Sequence, residues 1–213
     1  MTGRVSVIDY GMGNLLNVAR AFEYCGANVD FVSVEEEIDA SELLVLPGVG
    51  AFPDGMKELR NRRLIDSIRR HVNDGKPLLG ICLGMQMLFE SSEEFGGYDG
   101  LGLLAGKVIA IPDTGMDGVK HKIPHIGWNE LMRGSEYSWN DTLLNNIEEG
   151  ASVYFVHSYM VELEDHSKQL AYCDYDGRRI TAVVEANNIM GCQFHPEKSG
   201  SAGLGIIDNF IKS

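Results

Sequence analysis

The first half of the chain alternates short apolar runs with segments whose apolar residues recur at helical spacing. Apolar runs at residues 5–8, 29–34 and 43–46 predict buried strands, and residues 15–22 carry apolar side chains on one face of a predicted helix. A longer helix is predicted over residues 54–71. Because strands and helices alternate in this way, the sheet should be largely parallel.

The last third of the chain is richer in strand-like segments. Residues 185–188 separate the last two of them, a hairpin-like spacing that predicts antiparallel pairing. We therefore expect a single α/β domain over residues 1–213, with a flavodoxin-like, mostly parallel sheet, helices on both faces and an antiparallel C-terminal portion. The middle is less regular, with one strand expected at 107–111 and a surface excursion at 113–125. The strands predicted in the last third are residues 152–156, 169–174, 180–184 and 189–194.

One cysteine stands where a predicted buried strand turns into a helix. Residues 78–81 form an apolar run, and Gly80 and Gly84 flank Cys82 with one residue on each side, the spacing of a nucleophile elbow. The free N–H groups of a helix start favour a thiolate over a thiol. We therefore predict that Cys82 is a nucleophile, with the backbone N–H of Leu83 as an oxyanion donor. A buried structural cysteine is the alternative, so the prediction requires a base elsewhere in the chain.

A glycine-rich loop follows the predicted strand at 43–46. In a doubly wound sheet, the loops at the carboxyl ends of the strands form the ligand crevice, and both this loop and Cys82 lie at such ends. The Gly48-Val49-Gly50 backbone is flexible enough to turn an N–H into the crevice, so Val49 and Gly50 are candidate oxyanion residues beside Leu83. An ordinary turn before the next helix is the alternative.

A candidate base follows the last predicted strand. His195 is succeeded by a proline, which stiffens the turn, and by Glu197, whose carboxylate can lie beside the same imidazole and fix its tautomer. Alone, this tripeptide is a weak signal. Together with Cys82 it predicts a nucleophile, a base and an orienting acid on neighbouring strand ends.

Composition narrows the possible partners. The formal net charge of −13 over 213 residues argues against binding to nucleic acid or to an anionic membrane, because both repel an acidic protein. No run of about 18 apolar residues and no signal-peptide pattern is present, so we expect a cytoplasmic protein. Four widely spaced cysteines without a Cys-x-x-Cys pair favour free thiols, and no metal site is predicted. No cofactor is predicted, because the Gly11-Met12-Gly13 turn lacks the third glycine of a dinucleotide fingerprint.

Three segments together resemble the class I glutamine amidotransferases, a family with a Cys-His-Glu triad. They are Pro47-Gly48-Val49-Gly50, Gly80-Ile81-Cys82-Leu83-Gly84-Met85-Gln86 and Gln193-Phe194-His195-Pro196-Glu197. The resemblance implies hydrolysis of L-glutamine to L-glutamate and ammonia, with Cys82 attacking the side-chain amide, His195 moving the proton and Glu197 orienting the histidine. It also implies a set of substrate-binding residues, namely Gly48, Gln86, Glu94, Ser158 and Tyr159.

Three further segments resemble the glutaminase subunits of imidazole glycerol phosphate synthases, within the same family. They are residues 9–15, 124–129 and 154–159. This resemblance implies a heterodimer with a (β/α)₈ cyclase subunit, transfer of ammonia to it through a channel, and low activity until the cyclase binds its nucleotide substrate. From the residues alone, Trp128 is either a core aromatic or an interface anchor. The residues that the resemblance places near the interface are Asn14, Asn17, Trp128, Tyr154 and Lys198.

Other interpretations remain open at this point. A glutaminase serving pyridoxal 5'-phosphate or anthranilate synthesis shares the triad but should differ at residues 9–15 and 124–129. A cysteine peptidase or deglycase on a similar sheet is disfavoured by the late His195-x-Glu197 and by Gln86. A non-catalytic regulatory subunit is disfavoured by the complete set of Cys82, His195 and Glu197.

Overall fold

Residues 3–134 and 138–213, which the computed structural model describes, form three sheets and six α-helices. The strands are β1 (Arg4–Ile8), β2 (Asn28–Val32), β3 (Leu43–Gly48), β4 (Leu78–Cys82), β5 (Phe89–Ser92), β6 (Tyr98–Asp99), β7 (Leu104–Ala110), β8 (His125–Glu130), β9 (Met132–Arg133), β10 (Ser152–His157), β11 (Tyr159–Leu163), β12 (Gln169–Tyr175), β13 (Arg178–Ala186) and β14 (Ile189–Cys192). The α-helices are α1 (Leu15–Tyr24), α2 (Glu35–Asp39), α3 (Phe52–Asn61), α4 (Leu64–Asn73), α5 (Leu83–Met87) and α6 (Gly200–Ile211), and short 3₁₀ helices span Glu94–Gly96, His166–Lys168 and Pro196–Lys198.

The main sheet has the order β2-β1-β3-β4-β14-β13-β12-β9. The five strands from β2 to β14 run parallel, and β13, β12 and β9 continue the sheet in antiparallel fashion. Strand β14 joins the two halves, because it lies parallel to β4 on one side and antiparallel to β13 on the other. The predicted α/β fold with an antiparallel C-terminal portion is therefore confirmed.

Both faces of the parallel strands are buried. Alternate residues of β1 contact different apolar clusters, Val5 and Val7 on the side of α1 and α6, and Ile8 on the side of α3 and α4. Phe22 of α1 and Phe210 of α6 meet edge to face at 6.1 Å between ring centroids, which closes the first cluster. Burial on both faces explains why the sequence shows continuous apolar runs here instead of alternation.

The prediction of a single helix over residues 54–71 is wrong. The chain forms α3 and α4 instead, and Arg63 between them has a left-handed backbone with φ of 59°. Leu59 of α3 and Leu64 of α4 are both fully buried, yet in one continuous helix they would point about 140° apart. The two apolar stripes can face the same core only if the chain turns between them.

Two smaller sheets were not predicted. One has the order β11-β7-β5-β6, and the other pairs β8 with β10. The excursion expected at 113–125 ends earlier than predicted, because His125 is buried and begins β8. Most residues of β8 are exposed or half-buried, so its sequence carries too little apolar alternation to be read as a strand.

Among residues 3–134 and 138–213, no helix combines the length and the apolar character needed to cross a bilayer.

Candidate active site

Cys82 is held in a strained turn at the junction of β4 and α5. Its backbone has φ of 55° and ψ of −110°, a conformation that is costly for a residue with a side chain. The neighbouring glycines allow the turn: a Cβ at Gly84 would lie 1.8 Å from the carbonyl oxygen of Leu46, and one at Gly80 would lie 2.7 Å from the backbone nitrogen of Met85. The predicted elbow is present, although its helix has only the five residues of α5.

His195 and Glu197 lie together in the interior, close to Cys82. Nδ1 of His195 is 2.8 Å from Oε1 of Glu197, and the side chains are 3% and 1% exposed. The backbone N–H of His195 donates to the carbonyl oxygen of Tyr154, and the hydroxyl of Ser199 donates to the carbonyl oxygen of His195. Strand β10 and the Pro196–Lys198 turn therefore hold the imidazole in place.

The electrostatics of this group favour a charged imidazole. Burial by itself lowers the pKa of His195, but its interactions with Cys82 and Glu197 outweigh burial and raise the pKa to about 9. Nε2 of His195 is buried and has no hydrogen-bond partner among the described residues, so this nitrogen is available to a reacting group. The structure thus brings together the three residues that the sequence predicted as nucleophile, base and orienting acid.

A cavity of about 370 Å³ opens beside the sulfur of Cys82. Its wall contains the predicted oxyanion residues and all but one of the predicted substrate-binding residues. Gly48 is the exception: it is buried at the end of β3, paired with Cys82, and its backbone leaves no room for a Cβ, which would lie 2.5 Å from the hydroxyl of Tyr10. The lining residues are Val49, Gly50, Cys82, Leu83, Gln86, Glu94, Pro124, Val156, His157, Ser158 and Tyr159.

Glu94 brings a carboxylate to this cavity. Burial raises its pKa, a hydrogen bond donated by the backbone N–H of Phe52 lowers it, and the charge of Asp54 raises it again, with a net upward shift. Oε2 of Glu94 is 2.8 Å from the nitrogen of Phe52. One carboxylate oxygen is therefore held by α3, and the other can receive a cationic group of a ligand.

Trp128 is a surface residue, so the core alternative is wrong. It is 58% exposed and lies edge to face with Tyr154 at 6.0 Å between ring centroids. Nζ of Lys198, in the 3₁₀ helix after His195, lies 5.9 Å from the centroid of the Tyr154 ring in β10. Asn14 caps α1 by accepting a hydrogen bond from the backbone N–H of the half-buried Asn17. Three of the five predicted interface residues thus form one surface cluster, and one of them, Tyr154, is hydrogen-bonded to the backbone of His195.

Sequence reasoning missed three buried polar residues around the site. Tyr10 donates to the carbonyl oxygen of Pro47 at 2.8 Å, beneath the predicted oxyanion loop, and burial and the charge of Cys82 raise its pKa. His157 contacts the carbonyl oxygen of Tyr159 through Nδ1 at 2.8 Å. Gln193 approaches the sulfur of Cys82. All three had a signal in the sequence, because each lies in a segment that carries the resemblance: residues 9–15, 154–159 and 193–197. None of the three was assigned a role. Among the described residues, no group of three or more histidine, cysteine or carboxylate side chains has a metal-binding arrangement.

Residues 6–213 match the class I glutamine amidotransferase family. The chain is also 56% identical to the imidazole glycerol phosphate synthase subunit HisH 1 of Legionella pneumophila strain Lens, with 98% of each chain covered. The chain belongs to the class I glutamine amidotransferases and, within them, to the HisH family. The resemblance drawn from the motifs is thereby confirmed, and the match decides against a peptidase or a deglycase.

Further relatives of this amidotransferase have the same subunit name. The HisH subunit of Aquifex aeolicus is 48% identical over 97% of this chain and 95% of its own length. Among solved structures, PurLQS of Thermotoga maritima superposes with a TM-score of 0.75 at 22% identity, covering 100% of this chain and 99% of that one. At that identity the superposition supports the fold alone.

Proposed function

We propose that this amidotransferase, as a single domain over residues 1–213, hydrolyses L-glutamine to L-glutamate and ammonia through a thioester on Cys82. The buried contact of His195 with Glu197 beside the cysteine is the observation that carries the proposal. A charged imidazole next to a sulfur stabilises the thiolate, which is the nucleophilic form of cysteine. The family match supports the reaction class.

The proposed reaction has two steps. In the first, the thiolate of Cys82 attacks the side-chain carbonyl carbon of glutamine, and the backbone N–H groups of Leu83 and of the loop with Val49 and Gly50 stabilise the resulting oxyanion. His195 then donates its proton to the amide nitrogen, which leaves as ammonia. In the second, neutral His195 takes a proton from water, whose oxygen opens the thioester and releases glutamate.

The cavity suits the two ends of a free amino acid. Glu94 offers one carboxylate oxygen to the α-ammonium group of glutamine. The backbone of Ser158 and Tyr159 and the side chain of Gln86, which line the same cavity, are the proposed contacts for the rest of the substrate. Gly48 shapes the loop from behind instead of touching glutamine.

We propose further that the partner is the (β/α)₈ cyclase subunit of imidazole glycerol phosphate synthase, in the cytoplasm. Ammonia would pass to it through a channel and enter imidazole glycerol phosphate and AICAR in histidine biosynthesis. The names of relatives between 47% and 56% identical support this partner. Trp128, Tyr154 and Lys198 form a cluster at the surface, and the carbonyl oxygen of Tyr154 accepts the backbone N–H of His195, so a subunit bound there can influence the site.

A glutaminase assay with purified subunits tests the proposal. Glutamate release should be slow for this subunit alone and should rise by about 10²-fold or more when the cyclase and its nucleotide substrate are both present, because one correctly aimed oxyanion donor contributes a factor of that size. An anthranilate-type synthase serves as the control partner and should give no activation. Activation by that synthase instead, or no glutamate release under any condition, would contradict the proposal.

The interface assignment predicts a large effect of Trp128→Ala. An exposed tryptophan at the centre of an interface contributes on the order of 2 kcal/mol or more, so the dissociation constant for the cyclase should rise about 30-fold, as measured by titration calorimetry. Tyr24→Ala is the matched control, because Tyr24 is 78% exposed but lies at the end of α1 opposite Asn14. Equal affinities of wild type and Trp128→Ala would show that the interface lies elsewhere.

A further inference from the structure

A chain of hydrogen bonds leads from the wall of the cavity to the reactive sulfur. The side-chain nitrogen of Gln86 lies 3.1 Å from the carbonyl oxygen of Tyr159 and 3.0 Å from Oε1 of Gln193. The side-chain nitrogen of Gln193 lies in turn 3.9 Å from Sγ of Cys82, within the range of a hydrogen bond to sulfur. Gln193 is fully buried, and Gln86 is 5% exposed.

The direction of these hydrogen bonds is determined at the carbonyl oxygen of Tyr159. A backbone carbonyl can only accept, so Gln86 must present its amide N–H to it. Gln86 then donates its other N–H to Oε1 of Gln193. This leaves the NH₂ group of Gln193, and not its oxygen, facing Cys82.

The ring of His157 also contacts the carbonyl oxygen of Tyr159 and helps to hold it in place. Its Nδ1 lies 2.8 Å from the oxygen of Tyr159, and its Nε2 lies 3.0 Å from Nδ1 of His125. Since the carbonyl accepts from Nδ1–H, neutral His157 must accept at Nε2 from Nδ1–H of His125. Burial lowers the pKa of His157 to about 3 and that of His125 to about 4, so both rings are neutral near pH 7 and this arrangement persists.

Besides its interaction with His195, the sulfur of Cys82 has two contacts of opposite preference. The carbonyl oxygen of Val156, 3.9 Å away, can accept a hydrogen bond from a thiol but repels a thiolate. An N–H donor does the reverse, because hydrogen bonds to a charged acceptor are stronger than those to a neutral one. Whichever contact is removed, the balance between thiol and thiolate must shift.

We propose that Gln193 stabilises the thiolate of Cys82 by donating its side-chain N–H to the sulfur, and that Gln86 is a positioning residue that fixes the orientation of the Gln193 amide. This inference rests on the proposed function, in which Cys82 is the nucleophile. Gln86 thereby has a second role besides binding glutamine, which is to orient the amide of Gln193. That role exists in the free protein, without substrate.

Alkylation of Cys82 by iodoacetamide tests this role without glutamine. The rate is followed from pH 5 to pH 10 by mass spectrometry of the peptide containing Cys82, because the reagent reacts with the thiolate. In Gln193→Met, which keeps the volume but removes the donor, the midpoint should move up by about one pH unit, with roughly tenfold slower alkylation below it. Gln86→Met should shift the midpoint in the same direction, although Gln86 does not bond to the sulfur.

The double variant separates a relay from two independent effects. If Gln86 acts through Gln193, the variant carrying both substitutions should alkylate no more slowly than Gln193→Met alone. Cys192→Ala, a change at the buried residue next to Gln193, is the control and should match wild type. Melting curves identify a variant that does not fold, and each single variant tests the donor independently.

The outcomes separate this inference from the proposed function. An unchanged midpoint in folded Gln193→Met would overturn the role of Gln193, and fully additive effects would overturn the relay. Either result leaves Cys82 as nucleophile. Glutamine hydrolysis by Cys82→Ala would instead overturn the proposed function itself.

Discussion

Replacement of Cys82 by alanine is expected to lower glutamine hydrolysis by about 10⁴–10⁶-fold, the range found when the nucleophile of a hydrolytic triad is removed. Without the sulfur no thioester can form, and the cavity retains only its binding contacts and its oxyanion donors. The measurement is glutamate release by the complex with the cyclase, since the isolated subunit is expected to be slow. Alanine also has no side chain beyond Cβ, so it fits the turn as well as cysteine does.

Cys192→Ala is the matched control for this experiment. Cys192 is fully buried one strand away, and burial, with the charges of Glu197 and Glu185, raises the pKa of its thiol. A buried thiol with a raised pKa is a poor nucleophile, so this variant should retain activity. Substantial glutaminase activity in Cys82→Ala, or its loss in a folded Cys192→Ala, would contradict the assignment of the nucleophile.

Replacement of His195 by asparagine should have the second-largest effect, a fall in kcat of about 10²–10⁴-fold. Asparagine can neither protonate the leaving amide nitrogen nor accept a proton from water. It also leaves the carboxylate of Glu197 buried without its cation, so part of the loss should appear as lower stability. Measuring kcat alongside the melting temperature separates the two effects.

The pH profile gives a sharper test of His195. Its pKa in the folded protein is raised to about 9 from the usual 6.5, so the imidazolium is fully present below about pH 8 and is lost as the pH rises through 9. Activity that depends on the imidazolium should therefore fall on the alkaline side near pH 9. The same linkage stabilises the folded protein below about pH 6.5, and this contribution disappears as the pH approaches 9.

His195→Asn should lose this alkaline limb from both activity and stability. Lys57→Met serves as a comparison for the loss of a surface cation, because Lys57 is exposed on α3 and belongs neither to the site residues nor to the predicted interface residues. An alkaline limb near pH 9 that persists in His195→Asn would show that another group titrates there.

Much of the fold follows from local patterns. The apolar runs that became β1, β3 and β4 are buried on both faces, and burial of this kind leaves a continuous hydrophobic signature. The failures have a common physical origin. Strand β8 is stabilised by pairing with β10, some 25 residues further along, and its own residues are mostly exposed, so neither its sequence nor its hydropathy distinguishes it from a loop.

The proximity of Cys82, His195 and Glu197 was predictable because these residues occur in short segments with restrictive geometry. The glycines beside Cys82 and the proline after His195 are needed by the local backbone, and such needs are visible without knowing the rest of the structure. The surroundings of Gly48 could not be predicted, for the converse reason. The space at Gly48 is limited by the hydroxyl of Tyr10, a residue 38 positions earlier that approaches it only after β1 and β3 pair.

By itself, the sequence determined which segments form the parallel strands buried on both faces and which backbone positions beside Cys82 require glycine, since both depend on neighbours along the chain. It also determined the family, through motifs in a characteristic order. Only the tertiary structure decided that the amide of Gln193 faces the sulfur of Cys82 and that Gln86 sets its orientation. These contacts join residues separated by 111 and 107 positions. Their directions follow from which groups can donate and which can only accept, and that can be read only once the strands have been placed side by side.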